Sequence, residues 1–151
     1  MSGIKIITDN RKARFDYEIV DTLEAGLVLT GSEVKSLRNG QVNLKDSYVS
    51  FQGNEAFLQN AHISVYKASS YNNHDPERLR KLLLNRVELD RLQAKIREKG
   101  LSCIPLKLYF KKGLVKAELA LARGKKKGDK REDIKKRDAS REMARHSARR
   151  G

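Results

Sequence analysis

Apolar and polar residues alternate along much of the chain before residue 123, and the alternation predicts strands. Phe15, Tyr17 and Ile19 alternate with Asp16 and Glu18, the two-residue period of a half-buried strand. Gly26 to Thr30 is a second β-prone run. Ser32 to Arg38 predicts a short helix bounded by Gly31 and by Gly40, the latter suited to a left-handed cap. Tyr48–Gln52 and Glu55–Gln59 flank Gly53-Asn54, two residues that tolerate the positive φ of a tight turn, and so predict a hairpin. His62 to Tyr66 reads as a further strand, and the polar run from Ser69 to Pro76 as a loop. Glu77–Leu84 and Val87–Lys99 read as helices; in the second, Leu89, Leu92 and Ile96 share one face and Gly100 ends the run. The last hairpin is the clearest element. Leu106, Leu108 and Phe110 alternate with Lys107, Tyr109 and Lys111, and after Lys112-Gly113 the residues Val115, Ala117, Leu119 and Leu121 alternate with Lys116, Glu118, Ala120 and Ala122. The pattern predicts one buried and one polar face for this pair. Together these elements predict a mainly β fold: a small antiparallel OB-like β-barrel, closed or nearly so, with inserted short helices and a basic C-terminal tail.

Charge sharpens the domain picture. The chain of 151 residues carries 33 Lys+Arg against 19 Asp+Glu, a net +14. From Arg123 to Gly151 there are 13 basic and 5 acidic residues, and every Phe and Tyr lies before that segment. Ile134, Met143 and a few alanines are its only apolar groups, too little to offset the entropy of ordering a chain. The reading is therefore a barrel over residues 1–122 and a tail over 123–151, disordered when free and helical on an anionic surface. Glu132 with Lys136 and Asp133 with Arg137 supply i,i+4 pairs for such a helix. A lone cysteine, Cys103, excludes a disulfide framework and a multi-Cys zinc site. No apolar run approaches the roughly 20 residues that span a bilayer, and the N-terminus lacks the marks of a signal peptide. A cytoplasmic protein with a polyanionic partner and no membrane association is the expectation, and nucleic acid leads the candidates.

Catalytic chemistry finds little support. His62 stands in a strand pattern, and His74-Asp75 forms a base-and-orienter pair only on paper, because no Ser or Cys nucleophile is tied to it by a motif. No HxH, HExxH or CxxC spacing points to a metal. Gly124-Lys-Lys-Lys-Gly128-Asp-Lys lacks the spacing and the apolar setting of a phosphate loop. The expectation is a protein that is not an enzyme and uses no cofactor. Basic groups, by contrast, cluster: Arg11, Lys12 and Arg14; Lys35 and Arg38 on one face of the short helix; Arg78, Arg80 and Lys81 before Leu82-Leu83-Leu84-Asn85. Such groups position a phosphate backbone, and exposed aromatics such as Tyr71 stack on unpaired bases. By composition alone, a generic ribosomal or RNA-chaperone protein is the favoured reading.

A set of motifs narrows this. Asn10-Arg-Lys-Ala13, Glu24-Ala-Gly-Leu-Val-Leu-Thr-Gly-Ser-Glu-Val-Lys-Ser-Leu-Arg38, Asn43-Leu-Lys-Asp-Ser-Tyr48, Asn73-His-Asp-Pro76, Arg80-Lys-Leu-Leu-Leu-Asn85, Pro105-Leu-Lys-Leu-Tyr-Phe110 and Arg123-Gly-Lys-Lys126 with Asp129-Lys-Arg131 resemble, in collinear order, the SsrA-binding protein family (small protein B, SmpB). The resemblance implies an OB-type barrel with added helices. It also implies a monomeric, non-enzymatic RNA-binding factor of trans-translation, which binds the tRNA-like part of transfer-messenger RNA and delivers it to stalled bacterial ribosomes. It places Glu33, Leu83 and Asn85 on the RNA-binding surface. Glu33 would accept from base or sugar groups or orient a neighbour such as Lys35, or else serve as an acid at a helix N-terminus. Asn85 can read a base edge or a 2′-OH, and Leu83 is either a contact or a core residue. Charge and placement add Arg11, Lys12, Lys35 and Arg38 as phosphate contacts. Gly124, Lys125, Lys126, Asp129, Lys130 and Arg131 resemble the family's ribosome-binding segment, which occupies the decoding centre and the empty mRNA channel. Gly128 stands where many relatives carry a ring-bearing residue.

Overall fold

Asn10 shows how this sequence fixes its own elements. Its side chain accepts from the Ala13 N–H and donates to the Leu44 and Pro105 carbonyls, so one amide caps a helix and ties it to two distant segments. The computed structural model describes residues 3–65 and 75–125. In chain order the elements are β1 (Ile4–Asp9), α1 (Arg11–Asp16), β2 (Tyr17–Leu27), α2 (Gly31–Arg38), β3 (Val42–Asn43), β4 (Tyr48–Gln52), β5 (Glu55–Gln59), β6 (His62–Ile63), β7 (Arg80–Leu83), α3 (Arg86–Lys99), β8 (Ser102–Lys111) and β9 (Leu114–Gly124). Seven strands form an antiparallel sheet in the order β1-β8-β9-β2-β7-β5-β4, and β3 pairs with β6 in a separate ribbon. The sheet curls until β4 lies against β8 without hydrogen-bonding to it. The result is an OB-like barrel with one open seam, in place of full closure.

The main core fills the barrel with residues such as Leu37, Leu58, Ile63, Leu108 and Leu119. A second, smaller cluster lies on the opposite face of the last hairpin, where Ala13 of α1 covers Ile104, Leu106, Ala120 and Ala122. The hairpin is thus buried on both faces over part of its length, and the simple buried-versus-polar alternation expected for it holds only nearer the turn. A register shift between Pro105 and Lys107 puts Leu106 in the small cluster and Leu108 in the main one, so the bulge exchanges the two faces.

The helix ends follow from the sequence. Thr30 and Glu33 form a capping box at α2, and Asn85 and Glu88 form another at α3. Gly100 closes α3 at φ +62, a left-handed conformation that costs glycine nothing. Two expectations fail. Phe15 and Asp16 belong to α1 and the strand starts at Tyr17, because Asn10 nucleates a turn of helix across the front of the alternation. Glu77–Leu84 is not a helix: Arg80–Leu83 is a strand wedged between β2 and β5, with Arg80 and Leu82 inward. In addition, β2 is one continuous strand through Leu27 where two runs were expected, and β9 runs two residues past Ala122, pairing Arg123 and Gly124 with Glu18 and Tyr17. Of the His62–Tyr66 strand only His62–Ile63 pairs; Tyr66 and residues 69–74 of the expected loop lie outside the described residues. Among the described residues no helix is long and apolar enough to cross a membrane, and no acid, His or Cys cluster could hold a metal.

Candidate nucleic-acid interface

Two regions collect the sequence-predicted residues, at opposite ends of β2. At one end Tyr17 pairs with Gly124; at the other, Gly26 pairs with Leu83. An extended strand of that length spans about 30 Å.

At the Leu83 end the outer face of the sheet gathers one set of the candidate residues. Leu82 turns into the core and Leu83 turns out, 54% exposed, so the core reading of Leu83 is wrong. It can lie flat on β2 because Gly26 has no side chain: a Cβ there would stand 3.2 Å from the Leu83 Cβ. Gly26 also pairs with Lys116, which pairs with Tyr109, so Leu83, Lys116 and Tyr109 stand in one row across four strands. Glu24, two residues before Gly26 on the same face, accepts hydrogen bonds from the Tyr109 hydroxyl and from Lys111 Nζ. The Tyr109 bond first, then Lys111, holds the Glu24 carboxyl below its usual range against a small burial cost. Sequence reasoning missed Glu24, Tyr109 and Lys111 as a cluster; the alternation of the last hairpin held the signal for the latter two. Asn85 is exposed beyond Leu83, where its Oδ1 accepts the Glu88 N–H at 2.8 Å as the α3 cap.

Beside this face stands a buried charge network. Glu33 is 0% exposed and offers no surface to a base or sugar. Its Oε1 accepts from Arg78 Nη2 at 2.6 Å and from the Thr30 N–H at 2.8 Å; its Oε2 accepts from Arg80 Nε at 2.6 Å. It therefore orients arginines and not Lys35. Burial pushes its carboxyl pKa upward, but Arg78, the Thr30 N–H and Arg80 outweigh that and hold it at about 2. Arg80 is itself fully buried and donates to the carbonyls of Ala61 (2.6 Å), Pro76 (3.0 Å) and Asp75 (3.3 Å). With the Ile63 N–H on the Pro76 carbonyl, it clamps together the two segments that flank residues 66–74. Lys35 and Arg38 are exposed in the last turn of α2 and form no salt bridge among the described residues.

At the Tyr17 end lie the remaining cations. Arg11 and Lys12 open α1 and are exposed; Lys12 Nζ lies 2.7 Å from Asp46. Here the seam between β4 and β8 opens into a groove of about 440 Å³ walled by Tyr17, Tyr48, Phe51, Ile96 and Leu101. The Lys125 N–H donates to the Asp16 carbonyl, so the chain leaves the sheet at the lip of that groove. Gly124 and Lys125 are thus placed; Lys126, Gly128, Asp129, Lys130 and Arg131 lie outside the described residues. Cys103 lines the groove, and burial pushes its thiol up to about 12.

A sequence model of the family described as SmpB protein matches residues 7–149. The chain belongs to the SmpB family. The SsrA-binding protein of Bdellovibrio bacteriovorus is 67% identical over 138 residues, covering 91% of each chain. That of Desulfitobacterium hafniense is 56% identical over 144 residues, 95% of this chain and 92% of its relative. That of Salinispora tropica is 52% identical over 149 residues, 99% of this chain and 94% of its relative. Among solved structures, a chain described under "tmRNA-SmpB: a journey to the center of the bacterial ribosome" superposes with a TM-score of 0.69 at 47% identity, over 86% of this chain and 95% of that one. SmpB membership therefore spans the barrel and the basic segment together.

Proposed function

We propose that this SmpB-family chain is an RNA-binding factor of trans-translation: it binds the tRNA-like part of transfer-messenger RNA and brings it to stalled bacterial ribosomes in the cytoplasm. The observation that carries the reading is the near-full-length similarity to SsrA-binding proteins, at 67% identity to the Bdellovibrio relative. The sheet's outer face adds support: an exposed leucine over a glycine, flanked by Lys111, Lys116 and the Asn85 cap, offers apolar contact, cations and a side-chain amide on one surface. Such a mixture suits a sugar–phosphate backbone with a few read positions. Leu83 and Asn85 contact the RNA there, Lys35 and Arg38 neutralise phosphates beside it, and Glu33 contributes from the interior; Arg11 and Lys12 neutralise phosphates at the other end of β2. The chain acts as a binding factor, not an enzyme.

The basic segment from residue 123 is the ribosomal arm. It carries a net +8, and an rRNA-lined channel without message is a polyanionic tube in which such a chain orders by charge neutralisation and counterion release. Gly124, Lys125, Lys126, Asp129, Lys130 and Arg131 take the decoding centre and the mRNA channel beyond it, and bound message excludes them. Competition binding tests the first part. The chain is titrated with labelled tRNA-like RNA against an unrelated structured RNA at several salt concentrations. Selective binding that Leu83→Glu weakens at least tenfold is expected, since a buried carboxylate would face phosphates; equal affinity for both RNAs contradicts the reading.

A further inference from the structure

We infer that Arg78 is a phosphate-contacting residue of the RNA face, and that buried Glu33 is a positioning residue that acts through it. This rests on the RNA-binding reading above and extends it to a residue that the motif comparison does not single out. Glu33 is one carboxylate shared by two guanidinium groups. Arg80 is fully enclosed, with Glu33 and three carbonyls as partners. Arg78 is the member that reaches solvent, with 36% of its side chain exposed. The triad carries one net positive charge, and Arg78 is its outlet. The Asp75 carboxylate acts on Arg80 electrostatically from an exposed position, but its Oδ1 is engaged by the Glu77 N–H.

The position of Arg78 is fixed rather than merely charged. Glu33 Oε1 holds Nη2 at 2.6 Å, and the same nitrogen lies 3.4 Å from the Val28 carbonyl. Val28 is 43% exposed, its N–H bonds the Lys81 carbonyl, and it lies just past the end of β2, two residues beyond the Gly26 that Leu83 covers. The guanidinium therefore sits at the end of the exposed Leu83–Val28 strip. Nη1 makes only a long 3.4 Å bond to the Leu79 carbonyl, which leaves donor capacity at the exposed end of the guanidinium, while Nε, unpartnered among the described residues, is buried and faces away from any ligand. A guanidinium anchored through Nη2, with Nη1 under-used and the side chain partly exposed, is preorganised for an oxyanion; a free surface arginine would first lose its rotamer entropy.

The test measures affinity of the full chain for tRNA-like RNA across a salt series. For Arg78→Ala the expected result is weaker binding, with the slope of log affinity against log salt reduced by about one. Arg78→Lys keeps the charge and loses the fork, so its slope stays near that of the unmodified chain while affinity falls. Glu33→Gln decides the positioning role by sign. It makes the chain one unit more positive, so charge alone predicts tighter binding, whereas loss of anchoring predicts weaker binding at an unchanged slope. Circular dichroism checks that each variant is folded, and if Glu33→Gln is not, the two Arg78 variants still decide the contact. Arg78→Ala with unaltered affinity and slope, or with an unaltered slope alone, overturns the inference. A folded Glu33→Gln that binds more tightly overturns the positioning role. Failure of the unmodified chain to prefer tRNA-like RNA overturns the underlying functional reading instead.

Discussion

Glu33 makes the stability of this protein depend on acid in a defined window. Its carboxyl is held at about 2 in the fold, against an ordinary value of 4.5, so the folded state binds its proton less readily than the unfolded chain. The corresponding stability is fully present above pH 4.5 and is lost as pH falls towards 2. Urea midpoints of the natural chain and of Glu33→Gln, measured from pH 6 to pH 2, should converge in acid; a gap that stays constant throughout would show that the carboxylate's ionisation contributes nothing. The network is demanding in another way, since removing one partner from a buried ion pair leaves an uncompensated charge at a cost of about 3–5 kcal/mol. None of this was readable from the chain. Glu33 lies 45 and 47 residues from Arg78 and Arg80, and sequence spacing carries no information at that range. What could be read was local: Thr30-x-x-Glu33 is a capping-box pattern and predicts an acid turned back on its own helix.

At the scale of elements, the parts that the chain declares most openly are those set by local rules. Gly53-Asn54 between alternating runs gave the β4–β5 hairpin, and Leu89 and Leu92 ahead of Gly100 gave α3. β7 was misread as helix because its period-two pattern appears only if Arg80 is counted as an interior residue, and arginine is almost never fully buried unless it is paired. Its partner Glu33 makes that possible, so the error at β7 and the invisibility of the charge network have one cause. The short α1 was missed because its start depends on Asn10, whose amide also binds Leu44 and Pro105 in distant segments. For the site, Leu83 and Asn85 were legible through motif resemblance; the Glu24–Tyr109–Lys111 cluster was not, since it assembles across β2 and β8, which are not even neighbours in the sheet. The observed cap of Asn85 and its proposed RNA contact can be separated. Asn85→Ala should lose about 1 kcal/mol of stability with the α3 cap, and weaken RNA binding too. Asn85→Ser keeps a capping oxygen, so its denaturation midpoint should stay close to that of the natural chain while RNA affinity still falls. If serine restores both, Asn85 serves the helix alone.

For the whole molecule, the described sheet ends where the basic segment begins. The sheet is complete at Gly124, whose partner is Tyr17, and the Lys125 N–H makes the last described bond to it, at Asp16. A cut after Ala122 would strip two paired residues from β9; a cut after Lys125 leaves the sheet whole. Leu83, Gly26 and Asn85 lie at the far end of β2 from that crossing, so the contacts proposed there are made away from residue 125. The measurement that tests this most directly compares the full chain with residues 1–125, in binding to tRNA-like RNA and in tagging on ribosomes stalled without a stop codon. The shortened chain should bind the RNA with nearly the full chain's affinity and support no tagging. Normal tagging by the shortened chain, or loss of its selective RNA binding, would contradict the account.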